Sequence, residues 1–398
     1  MLKLLTQSAI KNVFESARFY YYLLWCLVGY SMLREIVQKS SLVYRSEPIF
    51  LPREIIGSLF FVFAFCSTIS FLMNNRKWVG KLSFFVVIIL ISLTNEIRAA
   101  INFEKYSFYY SVFSGQLYYV IKVIFPLMFF NFWTRLDYKT SFSKKFISVL
   151  ETLFIINAVL IFFGALFGVT LMESYPLSIR WGYCGILMHR AETQFVYGFL
   201  LLYNLNTKKP ISWKAILFAV CMLMSGQKSV FLWFALILFF VVLKKLSYRV
   251  MLISVIAFAS AIFPLILEKL INFSIFWRSV YDDYGVWGVF FSTRDIAFLD
   301  VMKSALNEKG IVDWAIGNIS RYPFDVEMLI IDLFVFFGII GVLVFLWFLK
   351  TWLPTWKWSI PIFVACLVGG IFGIGLTLII YGVFLNEIKK SQYHSESF

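Results

Sequence analysis

Arg180, His189, Arg190 and Glu192 stand close together where the chain enters an apolar run, with Gly182 and Gly185 between them. Guanidinium groups present planar forks of donors that fit phosphate or carboxylate. His189 can take up a proton near neutral pH or orient a donor toward a ligand. Glu192 falls at the expected start of a helix, where a carboxylate also interacts favourably with the N-terminal dipole. Further along, Ser225-Gly226-Gln227-Lys228-Ser229 forms a tight turn between two apolar runs. A cation there is costly unless something pairs with it. Lys228 can bind an anion at the N-terminus of the following helix, or snorkel to the interface. Arg294 follows in Ser292-Thr293-Arg294-Asp295, and Glu327 and Asp332 lie at the mouth of a later apolar run. Their spacing sets the two carboxylates on adjoining helix faces. Arg278 and Arg321 are weaker candidates for holding a substrate.

The elements that must position these residues are membrane helices. Hydrophobic residues make up 61% of the 398-residue chain and charged residues only 15%, and the mean hydropathy is +0.82. That much apolar surface calls for lipid as the main solvent. An all-α polytopic membrane domain over 1–398 is expected. Its spans fall near 19–33, 55–73, 82–96, 116–133, 147–168, 191–205, 213–225, 229–243, 250–267 and 328–349. The segment 359–386, with Gly369, Gly370, Gly373 and Gly375, reads either as one close-packed helix or as two short ones. The total is 11 or 12 spans. The first twenty residues are mixed in character and no small-residue cleavage site follows the first run, so that run is expected to act as a signal-anchor.

Cations divide by side. With the N-terminus in the cytoplasm, short inner segments hold Arg76, Lys77 and Lys81; Arg135, Lys139, Lys144 and Lys145; Lys208, Lys209 and Lys214; Lys244, Lys245 and Arg249; Lys350 and Lys357. This is the positive-inside pattern. Most of the chain's Arg fall instead on the outer side: Arg34, Arg45, Arg53, Arg98, Arg180, Arg190, Arg278, Arg294 and Arg321. The net charge of +14 therefore serves topology and outer chemistry, and nucleic acid is not an expected partner. Two outer loops, 169–190 and 268–327, are long enough to carry function. Five scattered Cys and two His, His189 and His394, supply neither a disulfide framework nor metal-ligand spacing. No Walker loop, GxSxG, GxGxxG or HExxH is present.

The chain resembles the O-antigen polymerase (Wzy) and O-antigen ligase superfamily over about 150–341. Its patterns occur in order: Arg180…Gly185…His189-x-x-Glu192; Ser225-Gly226-Gln227-Lys228; Ser292-Thr293-Arg294-Asp295 with Ile316-Gly317; and Glu327…Asp332…Phe337-Gly338-Ile339-Ile340-Gly341. The resemblance implies a GT-C-like glycosyltransferase of the bacterial inner membrane with its active site in the periplasm. It would polymerise undecaprenyl-pyrophosphate-linked oligosaccharide repeat units, without cofactor, nucleotide or metal, alongside a chain-length regulator protein. Arg180, Arg190, Lys228 and Arg294 would hold the pyrophosphate, and Glu192, Glu327 or His189 would take the acceptor proton. Lys228 stands where relatives often carry Arg, and Ala191 and Ala305 depart from the family's Arg-x10-Gly spacing. The second long loop has no His, which favours a polymerase over a ligase. A flippase is the alternative from another class; it would call for inverted repeats and midplane substrate residues, which the sequence does not show.

Overall fold

A computed structural model describes residues 17–44, 141–176, 180–207, 212–238, 275–291, 310–317, 328–353, 355–368 and 375–396, with isolated positions between them. The expected spans at 55–73, 82–96, 116–133 and 250–267 lie almost wholly outside these residues, as do Arg294, Arg321 and Glu327. The described chain is helical: α1 Ala17–Tyr44, α2 Phe142–Phe167, α3 Arg190–Thr207, α4 Trp213–Met224 and α5 Ser229–Ile237. These are followed by α6 Ile275–Phe291, α7 Ile311–Ile316, α8 Leu329–Trp352, α9 Ile360–Val368 and α10 Gly375–Glu396. Among the described residues there is no strand, and one isolated bridge joins Glu173 to Tyr183.

Helix ends follow local chemistry. The Ser212 hydroxyl caps α4 by accepting from the Ala215 amide, and Gly168, in the left-handed region at φ 64°, closes α2 as glycine does at helix C-termini. Of the segment left open as one helix or two, the described residues form α9 and α10, and Gly369, Gly370 and Gly373 lie outside the described residues. The apolar run 328–349 is helical but broken: Gly338 has φ 65° and ψ −171° inside α8. A single Gly in an apolar run gives no sequence sign of whether it continues or breaks a helix. The break accommodates α7, because a Cβ on Gly317 would overlap the Phe336 carbonyl and one on Gly338 would overlap that of Ala315. The Tyr281–Tyr284 stretch of the second long loop is likewise helical, within α6, which kinks at Gly285.

Among the described residues two helices, α2 and the Leu329–Trp347 part of α8, are long and apolar enough to cross a membrane. Side-chain pairs give the helix directions. Tyr21 stacks on Phe142 and Trp25 meets Phe146 at 4.6 Å, so α1 runs with α2. Asn204 donates to Glu151 at 3.0 Å while Tyr197 pairs with Asn157, so α3 runs against α2. One end of the bundle gathers Glu151 with Lys214 (2.8 Å), Asn206 with Lys357 (3.2 Å) and Ser143 with Asn386 (3.0 Å). The opposite end holds Lys39, Glu173, Arg190 and Gly226. Along α2, Ile156, Val159, Phe163, Leu166 and Phe167 form an exposed apolar stripe at helical spacing.

Cysteines placed at Ser141 and Thr170, which bracket α2, test whether this helix crosses the bilayer. In sealed membranes an impermeant maleimide should reach only one of the two from a given side, and access to both from the same side would contradict a crossing.

Candidate functional site

The first long loop is built on Asn157. This residue is fully buried at the middle of α2, ten residues and so about 15 Å from the helix end at Phe167. Its Oδ1 accepts from the amides of Ile186 (3.2 Å) and Leu187 (3.4 Å). Its Nδ2 donates to the Cys184 carbonyl (3.0 Å) and to the Tyr197 hydroxyl (3.2 Å). The chain between Cys184 and Leu187 therefore dips into the bundle, and its irregular backbone finds there the partners that a helix would otherwise supply. Gly185, at φ 74°, sits against the carboxamide where a Cβ would overlap it.

The upper part of the loop is held by backbone. Ser174 N–H donates to the Gly182 carbonyl (2.8 Å), Cys184 N–H to Met172 (3.0 Å) and Tyr183 N–H to Met224 (2.6 Å). Gly182 and Gly226 lie face to face, and a Cβ on Gly226 would be 2.9 Å from the Gly182 Cα. This joins the loop to the 225–228 turn, whose Gly226 has φ 68°.

Two of the expected arginines come together on this support. The Arg190 guanidinium carbon lies 4.3 Å from the centroid of the Tyr175 ring and that of Arg180 lies 5.3 Å from it. The electron-rich ring face attracts both cations and lets them approach each other. Arg190 also opens α3, where unpaired amides favour an anion. Its carbonyl accepts from Gln227 Nε2 at 2.7 Å, while the structure shows no hydrogen bond from its guanidinium to a described residue. That leaves a fork of donors available at the site.

The other expected residues take varied places. Glu192 is buried in the first turn of α3, with Oε2 accepting from Ser31 Oγ at 3.4 Å. His189 is exposed, and its Nδ1 accepts from the Ala191 amide at 3.4 Å. Lys228 stands at the N-cap position of α5 without a side-chain capping bond and donates to the Val289 carbonyl, so its ammonium ties the second long loop to the turn. Arg278 is exposed on α6 and Asp332 is buried in the first turn of α8. No group of three His, Cys, Asp or Glu among the described residues is placed to hold a metal ion.

Sequence reasoning placed a span at 19–33, within α1, but passed over the polar face of this helix. Ser31, Glu35 and Lys39 recur every four residues, one helix face, and this face meets the loop. The Lys39 ammonium is buried and donates to the carbonyls of Glu173 (3.0 Å) and Gly185 (2.7 Å) and to Cys184 Sγ (3.1 Å). Glu35 lies 3.9 Å from it and within electrostatic reach of Arg190. Burial raises the Glu173 carboxyl above the ordinary range, with the Lys39 ammonium pulling the other way. The four-residue polar spacing at the end of an apolar helix was the signal for this face. For Asn157 it was a carboxamide inside an apolar run. No protein-family description, curated protein or solved structure matches the chain.

Replacing Asn157 with Leu strands the amides of Ile186 and Leu187 and the carbonyl of Cys184. A loss of about 3 kcal/mol or more is expected, seen as a lowered melting temperature of the detergent-solubilised protein.

Proposed function

We propose that this chain is a multi-pass membrane glycosyltransferase of the GT-C type. It polymerises undecaprenyl-pyrophosphate-linked repeat units into O-antigen or a related surface polysaccharide at the periplasmic face of the bacterial inner membrane. The observation that carries this reading is the pairing of Arg180 and Arg190 on Tyr175, with the Arg190 fork available at a helix N-terminus. Cleaving a glycosyl–pyrophosphate bond builds negative charge on the departing phosphate, and fixed guanidinium groups stabilise that charge as it forms.

In the proposed reaction an acceptor hydroxyl oxygen bonds to the anomeric carbon of the donor chain. The bond from that carbon to the phosphate oxygen breaks, and lipid pyrophosphate leaves with the electron pair. The hydroxyl proton passes to a base. Of the three candidate acceptors, His189 is exposed and Glu192 is enclosed next to Arg190 in α3, while Glu327 is outside the described residues. Lys228 acts here by tethering the second loop, which carries Arg294, to the site.

Lipid substrates also fit the surroundings. The apolar stripe on α2 suits acyl or polyprenyl chains, and the irregular loop at Asn157 is enclosed by protein, as backbone at membrane depth must be.

Arg180→Ala and Arg190→Ala should each abolish polymer while protein level stays normal, a fall in rate of about a hundredfold or more. Cells lacking the chain should carry lipid A-core bearing a single repeat. Full-length ladders in those cells would sink the polymerase reading, and absence of even the single-repeat band would point to a ligase or flippase.

A further inference from the structure

An ammonium has three donors and no acceptor, and Lys39 spends all three on one loop. Two go to backbone carbonyls on its opposite edges, Glu173 and Gly185, and the third to the Cys184 sulfur between them. Those edges are the ones bridged at Glu173 and Tyr183. Tyr175 and Arg180 fall between these edges in sequence, and Arg190 follows Gly185 by five residues. Lys39 thus binds the chain at Glu173, two residues from Tyr175, the ring shared by both arginines. Glu35 offsets the buried charge from 3.9 Å, too far for a hydrogen bond, and also lies within electrostatic reach of Arg190. A turn further back, Ser31 bonds Glu192 in the same helix start. A single face of the first helix therefore touches both ends of the arginine site.

We propose that Lys39 is a positioning residue: its ammonium pins the two edges of the 173–185 loop and so holds Tyr175, Arg180 and Arg190 in register for a phosphate-bearing substrate. This rests on the reading of the two arginines as phosphate ligands. Lys39 touches no substrate itself. Its loss opens the loop, and the weakened step is donor binding rather than bond cleavage.

The test uses full-length protein in lipid nanodiscs with a polyprenyl-pyrophosphate-linked repeat unit as donor. Lys39→Met keeps the apolar stem and removes the donors. It should raise the donor KM about tenfold while kcat stays within about threefold. Cys184, fully buried in the native protein, should react with a maleimide about tenfold faster, followed peptide by peptide by mass spectrometry. Native KM together with native Cys184 protection would overturn the proposal. Should Lys39→Met not fold, Glu35→Gln, which leaves the ammonium without its counter-charge, is expected to raise donor KM in the same way, and an unchanged KM overturns the proposal. Donor binding to Arg190→Ala separates the two levels. If that variant binds donor as tightly as the native protein, the phosphate reading fails; if it loses affinity while Lys39→Met does not, only the role of Lys39 fails.

Discussion

A polar atom that has left water must be satisfied by another part of the same chain, and in this protein Asn157 shows what that demands. Its carboxamide lies in the middle of an apolar helix and collects two amides, a carbonyl and a hydroxyl. A buried polar group left unpaired costs free energy on the scale of a lost hydrogen bond, so the loop has to dip inward to meet it. Gly185 is needed at the point of contact, and Gly182 and Gly226 let the descending chain pass the 225–228 turn. Beyond those approaches α3 starts at Arg190, whose guanidinium lies over Tyr175. The arrangement of the loop end of the bundle is in this sense tied to one amide in its interior.

Much of the helical frame was legible in the sequence. The run expected over 213–225 is α4 at Trp213–Met224, and that expected over 191–205 is α3 at Arg190–Thr207, because apolar runs bounded by Lys or by Gly and Ser leave little choice of end. The break in α8 was not legible. Gly338 sits in an unbroken apolar stretch, and only the approach of Gly317 from a distant segment decides its conformation. The same contrast holds at the site. Arg180 and Arg190 are singled out by type and position, whereas Tyr175, the ring that joins them, is one of 21 tyrosines and carries no local mark. Lys39 was missed for a tertiary reason: its partners lie more than 130 residues away.

Lysine and arginine have separate work in this chain. Lys214 and Lys357 close the far end of the bundle on Glu151 and Asn206, and Lys39 and Lys228 bind carbonyls as compact three-donor charges. Arg180 and Arg190 instead lie against a ring, a geometry that a planar delocalised cation suits and an ammonium does not. Lysines thus assemble the support, and the arginines are what it presents. In the proposed reaction the two arginines hold the pyrophosphate and stabilise the charge that develops as it leaves.

The glycan transfer proposed for the arginine site draws on no energy source other than the lipid pyrophosphate. The most direct measurement reconstitutes the purified chain with polyprenyl-pyrophosphate-linked repeat units alone, without nucleotide sugar and with a chelator of divalent cations present. The account predicts a ladder of longer glycans and one free polyprenyl pyrophosphate released for each glycosidic bond formed. A lipid-linked repeat that stays a single unit, or a ladder that forms without release of polyprenyl pyrophosphate, would contradict it.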